Sequence, residues 1–164
     1  MIPVEQTVLE WLRQKNQRLV IAESCTCGAI AARLGCLPGV SEYFCGSLVT
    51  YREASKQAWL GIDEELLHAY SAESPEASAA MAVHALVRTI EANLSAAVTG
   101  HFGPNAPAEK DGVIHIAIAQ CNDQRVGLVQ AETVRLNSSS RSQRQHEATN
   151  HVLRLLVETW KSGS

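Results

Sequence analysis

Ser24 stands where an apolar stretch, Leu19-Val20-Ile21-Ala22, gives way to the polar run Glu23-Ser24-Cys25-Thr26-Cys27-Gly28. A serine hydroxyl becomes a nucleophile only when a neighbour takes its proton and donors hold the oxyanion that forms. No Gly-x-Ser-x-Gly elbow surrounds Ser24. Tyr51 and Lys56, however, lie a helical turn apart just after a second apolar stretch. A lysine partly withdrawn from water loses pKa and serves as a general base, and serine–lysine pairs are a known variant of triad logic. Tyr51 would then relay a proton or orient the pair. A solvated surface lysine and an edge-strand aromatic form the competing reading, and both stand at this stage.

The elements that must position these groups follow from patterning. A helix over 4–16, with Val4, Val8, Leu9 and Leu12 on one side, precedes a strand at 18–23 and a helix over 26–35. This strand–turn–helix order puts Ser24 and Thr26 near a helix amino end, where unpaired N–H groups favour an anion. Residues 43–51 read as a strand, and a helical stretch from Glu53 to Leu60 ends at Gly61. Another short helix covers 63–69. Ser74-Pro75-Glu76 opens a helix reaching Asn93, its buried stripe expected from Val83, Leu86, Val87 and Ile90. Leu94–Thr99 is a strand, 112–120 and 126–135 pair as a hairpin, and Asn137 or Ser138 caps a final helix. That helix buries Ala148, Val152, Leu155, Leu156 and Thr159 in its second half. The expected fold is α/β and three-layered: a mixed, mostly parallel sheet with helices on both faces. The exits at Ser24, Tyr51 and Thr99 then converge on one pocket.

At 164 residues, without repeats or linkers, the chain is expected to form one domain spanning 1–164. A net charge of −3 gives no electrostatic footprint for nucleic acid. No apolar run approaches a membrane span, and the amino-terminal residues lack the regions of a signal peptide, so a cytoplasmic location is expected. Five cysteines at irregular spacing do not make a disulfide framework. The scattered histidines and Cys25-x-Cys27 complete no metal motif, and neither metal nor cofactor is expected.

Residues 19–61 resemble the CinA carboxy-terminal domain family, whose best-known members are nicotinamide mononucleotide amidohydrolases (PncC). The family pattern runs A-E-S-C-T-G-G, P-G-S-S, V-T-Y-x-x-x-x-K and L-G-V. Here the corresponding runs are Ala22 to Gly28, Pro38-Gly39-Val40-Ser41, Val49-Thr50-Tyr51 through Lys56, and Leu60-Gly61-Ile62. A later T-G-x-x-G-P block appears as Thr99-Gly100-His101-Phe102-Gly103-Pro104.

The resemblance implies hydrolysis of the carboxamide of nicotinamide mononucleotide to nicotinate mononucleotide and ammonia. Ser24 would be the nucleophile, Lys56 its base and Tyr51 a supporting hydroxyl. Thr26, Gly28, Thr99 and Gly100 would line the pocket, and Arg141 would contact phosphate. The expected partner is a small nucleotide, and the resemblance implies a homo-oligomer. Several loop positions depart from the pattern. Cys27 replaces a glycine, His101-Phe102 replaces I-A, Asn105 replaces an aspartate, and Glu73 lies in Ser71-Ala72-Glu73-Ser74 where the family has G-A-V-S. These changes keep two further readings open: the same machinery on a different small amide, and a non-catalytic relative that binds a nucleotide or a protein. Arg141 and Arg144 also fit a solvated helix face, and Phe102 also fits core packing.

Overall fold

The computed structural model describes residues 2–162. Five strands form one sheet in the order β2-β1-β3-β4-β5. They are β1 (Leu19–Glu23), β2 (Phe44–Val49), β3 (Leu94–Gly100), β4 (Val113–Asn122) and β5 (Arg125–Arg135). β1 pairs parallel with both β2 and β3, while β3–β4 and β4–β5 are antiparallel. The sheet is therefore mixed, as expected, with two pairings of each kind.

Side chains alternate across the sheet. Leu19, Ile21, Leu94, Ala96, Val98, Ile114, Ile116 and Ile118 face the layer formed by α1 (Val4–Lys15), α2 (Ala29–Gly35) and α6 (Arg141–Ser162). Val20, Ala22, Ala97, Ala117 and Ala119 face α4 (Glu64–Tyr70) and α5 (Pro75–Arg88). The first face is built from large aliphatics, so Ile116→Ala, at a fully buried position, costs about 2–5 kcal/mol through transfer and cavity terms. The second face is mostly alanine, which lets α5 approach closely. Ser95 on β3 reaches the α5 backbone, its Oγ donating to Ala82 O at 2.7 Å.

Three expectations about the helices are corrected here. α5 ends at Arg88, not Asn93, and its buried stripe is Ala77, Ser78, Met81, Ala82, Ala85 and Leu86. Val87 is 61% exposed and Ile90 98%, because an alanine-lined sheet face selects the small residues of a helix rather than the bulky ones. α2 begins at Ala29, since residues 24–28 form a turn with Cys27 at φ 51° and Gly28 at φ 90°. α6 begins at Arg141, and the hydroxyl of Ser140 accepts from Gln143 N–H. The N–H groups of Asn137 and Ser138 instead donate to the Glu147 carboxylate, at 2.9 and 2.8 Å.

Candidate active site

The three parallel strands leave the sheet at one edge. Glu23, the last residue of β1, lies opposite Val49 and Val98, so Ser24, Thr50 and Thr99 emerge side by side. Ligands of open α/β sheets collect outside such carboxyl ends. A cleft of about 210 Å³ opens there, between Ser24 and Cys25, Tyr51, Glu73, the 100–106 loop and Arg141. That is below the roughly 300–1,000 Å³ of drug-sized pockets, and it suits a small ligand or the reacting end of a larger one.

Lys56 opens a π-helical turn, Lys56–Leu60, directly after α3 (Glu53–Ser55). Gly61 ends the turn at φ 75°. Such wide turns recur at functional sites. Here the turn sends the lysine inward, and its side chain is fully buried. Its Nζ donates to Ser24 Oγ at 3.0 Å and to Thr50 O at 3.0 Å. Burial favours the neutral amine and lowers the pKa, and the carboxylates of Glu73 and Glu53 counter this in part through their charge. An amine with a lowered pKa at hydrogen-bond distance from a hydroxyl has the geometry of a general base. Cys25, beside Ser24 in the cleft, is no rival nucleophile: burial pushes its thiol up to about 12, so the thiolate is not populated near neutrality.

The amino end of α2 holds an anion, and that anion is internal. The fully buried Glu23 carboxylate accepts from the N–H groups of Gly28, Ile30 and Ala31 at 2.9, 3.2 and 3.0 Å. It also accepts from Thr26 Oγ1 at 2.7 Å and Ser47 Oγ at 3.0 Å. The helix terminus expected to face a ligand is thus closed by the residue preceding the serine. The N–H groups of Cys25 and Thr26 face the Cys25 sulfur, beside the cleft.

The structure gathers some of the sequence-selected residues and separates others. Ser24, Tyr51, Gly100 and Arg141 line the cleft, with Lys56 directly behind Ser24. Thr26, Gly28 and Thr99 do not line it. Thr26 and Gly28 serve Glu23, and Thr99 Oγ1 donates to Ala72 O at 2.8 Å. Gly100 is required by close approach, because a Cβ there would lie 2.4 Å from Val113 O on β4. The Tyr51 hydroxyl bonds Arg141, not the Ser24–Lys56 pair. Arg141 also donates to Gly103 O at 2.8 Å and sits 6.0 Å over the Phe102 ring, joining two walls of the cleft. Phe102 is buried against the core, and Cys27 is exposed outside the cleft lining.

Sequence reasoning missed three supports. Glu23 carried no signal beyond preceding the serine. Arg144 makes a two-pronged contact with Asp111 at 2.7 and 2.8 Å, pinning the far end of the rim loop to α6. Glu73 meets His101 across the cleft, with 3.9 Å between Oε2 and Nε2.

The chain matches the CinA C-terminal domain family model over residues 2–160. A CinA-like protein of Prochlorococcus marinus is 44% identical over 68% of this chain and 26% of its own length. One of Chlorobium phaeovibrioides is 34% identical over 98% of this chain and 38% of its own. The chain therefore spans well under half the length of these curated relatives. The crystal structure of the competence/damage inducible protein CihA from Agrobacterium tumefaciens superposes with a TM-score of 0.86 at 28% identity, covering 97% of this chain and 98% of that one. A CinA superfamily protein from Escherichia coli gives a TM-score of 0.84 over 94% of this chain and 87% of that one; at 24% identity it bears on the fold alone. With the match running through nearly every described element, the protein belongs to the CinA C-terminal domain family.

Proposed function

We propose that this protein is an amidohydrolase that converts nicotinamide mononucleotide to nicotinate mononucleotide and ammonia through a Ser24–Lys56 pair. The observation that carries the reading is the fully buried Lys56 amine, 3.0 Å from the Ser24 hydroxyl that faces the cleft. Ser24 Oγ attacks the carboxamide carbon and its proton passes to Lys56 Nζ. A backbone N–H of the turn that follows Ser24 holds the oxyanion. The Lys56 ammonium then protonates the departing nitrogen, which leaves as ammonia, and an ester remains on Ser24. Water, deprotonated by the restored amine, attacks that ester; Lys56 returns this proton to the departing Ser24 oxygen, and the acid so formed loses its remaining proton to solvent to give the carboxylate. Arg141 supplies a cation for the phosphate at the rim.

A second reading has an observation of its own. Arg141 is already engaged by Tyr51, Gly103 O and the Phe102 ring, which favours a smaller amide without a phosphate. Both are tested by following ammonia release with nicotinamide mononucleotide and with free nicotinamide as substrates. The nucleotide should be preferred by kcat/KM. Equal or greater activity on nicotinamide would select the second reading, and no ammonia from either would refute both.

A further inference from the structure

The cleft carries a charge that the proposed chemistry does not use. Glu73 is the one carboxylate among its lining residues. Thr99 Oγ1 bonds Ala72 O, and Glu73 N–H donates to Ser71 Oγ at 3.3 Å, so the preceding backbone is tied to the β3 exit. The side chain is 31% exposed, and among the described residues no hydrogen-bond donor reaches its carboxylate. His101 Nε2 lies 3.9 Å away, beyond hydrogen-bond range. A partly buried carboxylate without a bonded partner is poorly compensated, and a ligand cation would complete it. The position along the cleft is also informative. Glu73 follows Ala72, whose O accepts from Thr99 Oγ1 at the β3 exit, and Ser24 N–H donates to Val98 O in the same strand at 3.0 Å, so Glu73 stands at the reacting end, whereas Arg141 holds the rim between Tyr51 and Gly103. The cleft is therefore polar along its length, negative near the nucleophile and positive at the mouth.

We propose that Glu73 is a specificity-determining residue that selects a carboxamide carried on a positively charged ring, with the anionic end of the same molecule at Arg141. A pyridinium carboxamide has its cation within the ring that bears the amide, so binding at Ser24 brings that charge to the Glu73 wall. A neutral dihydropyridine of the same shape gains nothing from the carboxylate.

The inference rests on the nucleotide-amide reading, and its test separates the two. Nicotinamide mononucleotide and its 1,4-dihydro form differ in ring charge and share the amide, ribose and phosphate. Their dissociation constants are measured by calorimetry on Ser24→Ala, which binds without turnover, and on Ser24→Ala combined with Glu73→Gln. The first protein should bind the cationic form at least about tenfold more tightly, equivalent to 1.4 kcal/mol. Adding Glu73→Gln should erase that preference by weakening the cationic ligand alone. His101→Ala, which removes the side chain facing Glu73, should preserve the preference. Equal loss for both ligands would make Glu73 a structural or general-base residue and overturn the inference. Equal affinities before substitution, or no binding of either ligand, would also overturn it. A preference that depends on Glu73 in a protein releasing no ammonia would uphold the inference and refute the hydrolase reading.

Discussion

Glu23→Gln probes how the fold holds its candidate nucleophile. The carboxylate accepts five hydrogen bonds: Oε2 from Thr26 Oγ1, Gly28 N and Ile30 N, and Oε1 from Ala31 N and Ser47 Oγ. Glutamine keeps the volume but has one acceptor oxygen. Turned to serve the three donors, it presents its NH₂ to Ala31 N–H and the Ser47 hydroxyl. The hydroxyl can rotate to accept, whereas the amide cannot. One unsatisfied backbone donor costs about 1–3 kcal/mol, and each retained bond falls from the charged to the neutral range. The helix terminus also loses its counter-charge. Together these give about 3–5 kcal/mol, a large share of the roughly 5–15 kcal/mol that holds a domain. Urea unfolding should show a lower midpoint with an unchanged slope. A loss below about 1 kcal/mol would mean that the turn before α2 is held by something other than Glu23.

Lys56→Met should abolish ammonia release without lowering the melting temperature at pH 7. The unfolded chain binds the lysine proton up to the ordinary value of 10.5, while burial lowers that value in the fold. Stability is therefore diminished below the lowered value and recovers as pH rises toward 10.5. Thermal melts from pH 7 to 10 should show the wild type gaining on the variant; parallel curves would refute it. Glu147→Gln acts in the opposite window. Burial raises this carboxyl, but the N–H groups of Asn137 and Ser138 outweigh it and hold the pKa at about 2. Wild-type stability from this group should be complete above pH 4.5 and vanish toward pH 2, so the two proteins should differ at pH 6 and converge in acid. Cys27→Gly should leave activity within about twofold, because the side chain lies outside the cleft and its φ of 51° suits glycine. A larger change in the amidase assay would return Cys27 to the site.

Much of this arrangement was legible in residue order. The strands read over 18–23, 43–51 and Leu94–Thr99 put exits at Ser24, Tyr51 and Thr99, although β2 ends earlier, at Val49, and β3 runs on to Gly100, and Ser74-Pro75-Glu76 marked the start of α5, where Ser74 Oγ accepts from Ala77 N–H at 3.0 Å. The motif also paired Ser24 with Lys56 before any distance was known. What stayed hidden depends on what fills a space. A helix amino end signals an anion but not whose, and here the anion is the chain's own Glu23. Side-chain size misjudged the buried face of α5, because the opposing sheet surface is alanine. Contacts between distant positions, such as Tyr51 with Arg141 and Glu73 with His101, have no local signature.

The claim that Ser24 and Lys56 act as one catalytic unit is tested most directly by a double-mutant cycle on ammonia release from nicotinamide mononucleotide. Ser24→Ala and Lys56→Ala should each lower kcat by at least about 10³-fold, and the double variant should be no worse than the poorer single one, since parts of one unit do not fail independently. Multiplying losses, or a single variant retaining a tenth of the wild-type rate, would contradict the account.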